Sequence, residues 1–154
     1  MMALAVRAVV NPGLMRGGGI ALFDRSGSQL RYFDTGDYFP TQVAFAPDHS
    51  IWTIGNLGET VAGSTPDYMI LRNYSLEGQE LGAFLPRSTF PVDEYAGTPQ
   101  PAVMPMLGLW ELRVVNDAVD VIFHHSHLWV QTDARGKENG RWKTGPPVYR
   151  PSWL

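Results

Sequence analysis

The sequence predicts an all-β fold, and three observations carry that prediction. Apolar and polar residues alternate with a period of two along much of the chain, as on a strand with one buried face. Gly, Pro, Asn, Asp and Ser separate these stretches at short intervals, as turns require. The segment 20–40 also recurs in altered form at 71–91, and no segment outside 101–115 shows a sustained helical pattern.

The strands are justified by alternation and by the turn residues between them. They are expected at 3–10, 19–24, 29–34, 42–46, 51–54, 68–74, 79–85, 107–115, 119–124 and 127–132. The hairpin 42–54 is the clearest, because Pro47 and Asp48 form a tight-turn composition between its two strands. His49 stands where such turns usually have Gly, so we expect this turn to avoid a left-handed backbone.

One element is open between two interpretations. The segment 101–115 could hold a short helix around 106–113, but its two prolines and β-branched end favour a strand. Two long connections, 56–67 and 86–106, are rich in Gly or Pro. They could carry a binding surface or could simply face solvent.

Composition limits the function. The chain has 154 residues, enough for one domain, and its 44% hydrophobic content is that of a globular protein. A net charge of −3 argues against nucleic acid as a partner. The absence of cysteine excludes disulfides, thiol nucleophiles and zinc–thiolate sites. The locally basic segment 133–154 is expected to be a solvated tail rather than an anion-binding patch.

Localisation stays conditional. No apolar run approaches the ~20 residues that cross a bilayer, so no membrane span is expected. The N-terminal segment 1–13 has Arg7 inside its apolar run and reads as a strand, not a signal peptide. The protein would be cytoplasmic if the chain is complete and exported if a signal lies upstream of Met1.

The repeat predicts the architecture. When the chain is shifted by 51 residues, five positions of 20–40 are identical without a gap. The identical pairs are Gly27 and Gly78, Leu30 and Leu81, Phe33 and Phe84, Phe39 and Phe90, and Pro40 and Pro91. Each copy reads as strand, Gly-centred turn, strand ending on Phe, and Phe-Pro step. A period of this length filled with about four short strands is typical of a β-propeller blade.

Two strings carry a resemblance to a known kind of propeller. FPTQVAFAPDHSIWTIGN resembles the inner hairpin of six-bladed propellers of the NHL-like kind, and YMILRNYSLEGQELGAF resembles the outer pair of the same blade. The resemblance covers 19–91 well and 107–132 loosely. It implies an incomplete β-propeller of four-stranded antiparallel blades. Residues 1–36 would end one blade, 37–87 would form a complete blade, 88–106 a Pro-rich loop, and 107–154 a third blade and tail.

About three blades are too few to close a ring of four to eight. The chain is therefore expected to be part of a larger propeller, a truncated product, or a protein that completes itself by assembly. Open blade faces predict self-association of the isolated chain.

Candidate site residues come from the resemblance and from one histidine cluster. Propeller enzymes that open lactones or cleave esters gather Asn, Asp and Glu around a metal at the channel mouth. The resemblance places Asn56 there, and Asp93 and Glu94 could approach it after the second Phe-Pro step. His125 and His127 would share one face of a strand, but no carboxylate nearby in sequence completes a metal site. No cofactor is expected, with calcium or zinc as the alternative.

The leading hypothesis is a non-catalytic propeller segment that acts as a scaffold for an unknown protein or small-molecule ligand. The alternative is part of a metal-dependent propeller hydrolase or lactonase, so enzyme activity stays open. A third possibility is a truncated product without independent function. The chain has neither a G-x-S-x-G nucleophile elbow nor a P-loop.

Overall fold

The computed structural model describes residues 1–11, 14–57, 67–90, 110–123 and 127–143. In these residues the chain forms strands arranged in three antiparallel sheets, without an α-helix. The first sheet contains β1 (Met2–Asn11), β2 (Leu14–Phe23) and β3 (Gln29–Gly36). The second contains β4 (Tyr38–Phe45), β5 (Ile51–Leu57), β6 (Met69–Tyr74) and β7 (Glu80–Pro86). The third contains β8 (Trp110–Val115), β9 (Ala118–Phe123), β10 (Leu128–Asp133) and β11 (Glu138–Lys143).

The predicted all-β fold is confirmed, and the sheets are propeller-like blades that do not close into a ring. The open question at 101–115 is decided for Trp110–Val115, which is a strand. The last strand, β11, was not predicted. It lies in the segment expected to be a solvated tail, and its sequence ENGRWK has no apolar alternation because it is a largely exposed edge strand.

The outer two strands of each sheet form a hairpin, and the three outer hairpins share one register. Ile20 lies opposite Phe33 in the first sheet, and Leu71 lies opposite Phe84 in the second. The third hairpin pairs Trp129 with Trp142 at the same place. In all three, the register shifts by one residue just before the turn. The 51-residue sequence repeat is therefore a structural repeat, and it has a third member.

The turns of the outer hairpins are also alike. Each closes with two backbone hydrogen bonds and has a glycine at positive φ as its fourth residue: Gly27 at 85°, Gly78 at 91° and Gly136 at 76°. The first residue of each turn is Asp24, Ser75 or Asp133. Its side-chain oxygen accepts hydrogen bonds from the backbone N–H groups of the residues two and four positions later. Gly supplies the left-handed backbone at little steric cost, which explains why this position repeats.

The expectation for the hairpin 42–54 was wrong in one respect. His49 has a φ of 68°, so this turn does use a left-handed backbone. Its hydrogen bonds, from His49 N to Ala46 O and from Ala46 N to Ser50 O, match those of the outer turns. His is among the non-glycine residues that tolerate this region best, and Asp48 braces the turn by accepting from Ser50 N at 2.9 Å.

The second sheet lies between the other two. One side packs on the first sheet through a cluster containing Ile20, Leu22, Ile51 and Tyr74. The other side packs on the third sheet in a larger cluster that includes Trp52, Leu71 and Val121. Gln42 of β4 also joins the sheets, because its side-chain amide donates to Trp110 O and accepts from Leu112 N.

The phenylalanines of the two Phe-Pro steps, Phe39 and Phe90, connect one sheet to the next. Phe39 and Pro40 lie at the beginning of β4, an edge strand, where proline is tolerated. Phe90 follows a 3-10 turn (Arg87–Thr89) and packs its ring edge-on against Trp110 of the third sheet at 4.9 Å. Pro91 lies outside the described residues, as do most of the long connections 56–67 and 86–106.

Candidate functional site

Asn56 lies in β5, opposite Phe39, and is half-buried. The side-chain oxygen of Asn56 accepts a hydrogen bond from the Tyr68 hydroxyl at 3.3 Å. Burial raises the pKa of Tyr68, so this hydroxyl stays protonated and able to donate at neutral pH. The interaction gives Asn56 a structural role and uses one of the two lone pairs of its side-chain oxygen, so the role of Asn56 as a metal ligand stays a prediction.

The other predicted site residues are only partly described. Asp93, Glu94 and His125 lie outside the described residues, so their approach to Asn56 stays a prediction. His127 precedes β10 in a left-handed conformation with a φ of 49°. Within the described ranges, no three His, Asp or Glu side chains lie together as a metal site would require.

Two of the outer turn glycines, Gly78 and Gly136, lie on an aromatic ring of the preceding sheet. A side chain at Gly78 would come within 2.6 Å of the Phe33 ring in the first sheet. A side chain at Gly136 would overlap the ring of Phe84 in the second sheet. Because Phe33 and Phe84 hold the same register position, the contact between neighbouring sheets is itself repeated. We call it the glycine-on-ring contact.

At each end of the described stack of sheets, one partner of the glycine-on-ring contact is missing. Gly27, the corresponding glycine of the first sheet, would meet no atom of the described residues within 4 Å if it carried a Cβ. Trp142, the corresponding ring of the third sheet, is 44% exposed. The first sheet therefore presents a glycine without a ring, and the third presents a ring without a glycine.

A polar cluster lies on the side of the second sheet that faces the first. The Tyr38 hydroxyl is buried, donates to Ile70 O at 2.8 Å and accepts from Thr53 Oγ1 at 3.0 Å. Arg72 stacks on the Tyr38 ring, with its guanidinium carbon 4.3 Å from the ring centre. Burial raises the pKa of Tyr38, so the hydroxyl keeps its proton. The cluster fixes side chains and backbone within this sheet.

Glu80 extends this cluster to the surface. Its carboxylate pairs with Arg72 at 2.7 Å and accepts from the Tyr74 hydroxyl at 3.3 Å. Burial raises the pKa of Tyr74 to about 12. Apart from Arg72 Nε, which is buried without a hydrogen-bond partner among the described residues, the polar side chains of this cluster pair with one another, as in a structural network.

The free face of the third sheet combines aromatic and paired polar side chains. We define it by Trp142, Trp129, Asp120 and Gln131. The two tryptophan rings lie 4.7 Å apart. Asp120 accepts from the Trp129 indole N–H at 3.0 Å and from the Gln131 side-chain amide at 2.8 Å. The opposite side of the same strands is apolar and buried, as at Val121 and Val130.

The free face of the first sheet carries exposed apolar side chains. We define it by Met2, Leu4 and Tyr32. Leu4 and Tyr32 both pair with Ala21 of the central strand, and Met2 pairs with Phe23 of the same strand. The exposed fractions are 57% for Met2, 55% for Leu4 and 48% for Tyr32. The neighbouring row, with Leu22 and Ala3, packs on the second sheet instead. Such a concentration of exposed apolar side chains is typical of an interaction surface.

The sequence predicted open blade faces that self-associate, but it did not assign residues to these faces, although one signal was available. Gly27, Gly78 and Gly136 each follow Asp or Ser by three residues, and the third copy of that pattern was overlooked. The spacing from Gly78 to Gly136 is longer than 51 residues, so a fixed shift does not reveal it.

A scan against protein-family models found no match, and searches of curated proteins and of solved structures found none either. In the part of the chain that the structure describes, no helix is both long and apolar enough to cross a membrane. The fold therefore follows from the sheets themselves, and the exposed surfaces of the sheets are the remaining evidence on function.

Proposed function

We propose that this chain is a non-catalytic β-propeller segment of the NHL-like kind that acts as a binding scaffold. The observation that carries the proposal is the free face of the first sheet, where Met2, Leu4 and Tyr32 are each about half exposed. Blades of this kind are stabilised by stacking on neighbours, so a free apolar face favours association with another surface. The described polar clusters are internally paired, which supports binding over catalysis.

The competing function is a metal-dependent hydrolase or lactonase in which Asn56 is a ligand. Metal analysis distinguishes the two. The protein is saturated with calcium or zinc, desalted, and tested for bound metal and for hydrolysis of lactones and aryl esters with and without chelator. The scaffold role predicts no stoichiometric metal and no hydrolysis that chelator abolishes.

Asn56→Ala is the matched variant. For a scaffold, this substitution removes only the hydrogen bond from Tyr68 and costs about 1 kcal/mol of unfolding free energy. For a hydrolase it lowers metal content and activity together. Stoichiometric metal that is lost in Asn56→Ala would overturn the scaffold proposal.

A further inference from the structure

The two free faces carry the two partners of the glycine-on-ring contact, which the fold already makes twice. Phe33 meets Gly78 between the first and second sheets, and Phe84 meets Gly136 between the second and third. A further sheet stacked on the third sheet would have to place a glycine turn over Trp142. A further sheet stacked on the first sheet would have to place an aromatic ring over Gly27. A second copy of this chain supplies both.

We propose that the free face of the third sheet of one copy packs on the free face of the first sheet of a second copy. In this contact Trp142 lies on Gly27 as Phe84 lies on Gly136. The inference rests on the proposed scaffold role and names its partner. The interface is head-to-tail, so each copy uses two different surfaces.

The chemistry of the two faces fits this arrangement. The apolar side chains Met2 and Leu4 would be covered by the tryptophan pair, and aromatic residues are the usual anchors of protein interfaces. Asp120 already accepts two hydrogen bonds with Oδ1, from Trp129 and Gln131, so this oxygen keeps its partners when the face is covered. Gly27 has open space above it, so a ring can approach without displacing a side chain.

The number of blades favours closure with two copies. The described residues of one chain form three sheets, and those of two chains form six, within the four to eight blades of closed propellers. A closed pair contains two identical head-to-tail contacts. The expected particle therefore has twice the chain mass of 17.1 kDa.

Light scattering and sedimentation over a concentration series test the mass of the whole chain. We expect a two-chain particle that Trp142→Ala or Gly27→Ala weakens by about tenfold or more. Leu81→Ala is the control, because Leu81 is 53% exposed on the outermost strand of the middle sheet and is not on either free face. Far-UV circular dichroism confirms that each variant is folded.

Mixing the two variants tests the head-to-tail geometry. Trp142→Ala keeps an intact first-sheet face, and Gly27→Ala keeps an intact third-sheet face. At a concentration at which the wild type is paired, each variant alone is expected to be mostly monomeric, while an equal mixture forms a one-to-one pair through the single intact contact. An interface between two like faces predicts instead that one of the variants still dimerises by itself.

Several results would overturn the proposal. They are a monomeric wild type at every concentration, mass that grows without limit, a single variant that dimerises as tightly as the wild type, and a mixture that pairs no better than either variant alone. None of these bears on metal content or hydrolysis, so failure of this inference is distinguishable from failure of the scaffold role.

Discussion

Alanine at Gly136 tests the glycine-on-ring contact against a control that the chain itself provides. Gly136→Ala places a Cβ at a φ of 76° and against the ring of Phe84. Gly27→Ala places a Cβ at a φ of 85° in the equivalent turn, with nothing within 4 Å. The two substitutions share the backbone strain, and only the first adds a clash between sheets.

The magnitudes follow from these two terms. A left-handed backbone costs a residue with a Cβ about 1–2 kcal/mol. Overpacking a well-packed contact adds about 1–3 kcal/mol. Gly27→Ala is therefore expected to lower the unfolding free energy by about 1–2 kcal/mol, and Gly136→Ala by about 2–5 kcal/mol.

The assay is equilibrium urea unfolding followed by far-UV circular dichroism. All proteins carry Trp142→Ala, so that association between copies does not contribute to stability. Unchanged denaturant slopes show that the variants differ in stability and not in the surface exposed on unfolding. Equal losses for Gly136→Ala and Gly27→Ala would refute the glycine-on-ring contact as the link between sheets.

Three further predictions concern side chains buried between the sheets. Tyr38→Phe leaves Ile70 O and Thr53 Oγ1 without their partner and is expected to cost about 1–3 kcal/mol in urea unfolding; a loss near zero contradicts this. Thr132→Val removes a buried hydroxyl that has no hydrogen-bond partner among the described residues, so thermal unfolding is expected to show unchanged or raised stability. The pKa of Tyr74 is raised to about 12 from 10.0, so the stability it contributes is complete below pH 10 and is lost as pH rises towards 12. Tyr74→Phe should remove that part of the pH dependence, and an unaltered alkaline profile would contradict the assignment.

The strands and the first two repeats were predictable because both depend on local sequence. Leu71 and Phe84 recur in register with Ile20 and Phe33 because a fixed shift aligns them without a gap. The third hairpin was only half predicted. Its ring position holds Trp142 instead of Phe, and β11 is an exposed edge strand whose sequence carries no burial pattern.

The conformation of His49 and the candidate sites could not be read from the sequence for different reasons. Turn statistics favour glycine at that position, but hydrogen bonding with Ala46 and the Asp48 side chain stabilise the turn with histidine. The free faces depend on which side of a strand meets a neighbour. Alternation shows that Trp129 and Val130 point to opposite sides, and only the stacking order shows that the Trp129 side is free.

Nuclear magnetic resonance of the glycine protons tests the repeated stacking most directly. Gly78 and Gly136 lie against the rings of Phe33 and Phe84, and Gly27 meets no ring among the described residues. In the Trp142→Ala protein, we predict Hα resonances shifted by ring currents and cross-peaks to the respective ring for Gly78 and Gly136, and neither for Gly27. Unshifted Hα resonances without cross-peaks at Gly78 and Gly136 would contradict the stacking of the three sheets.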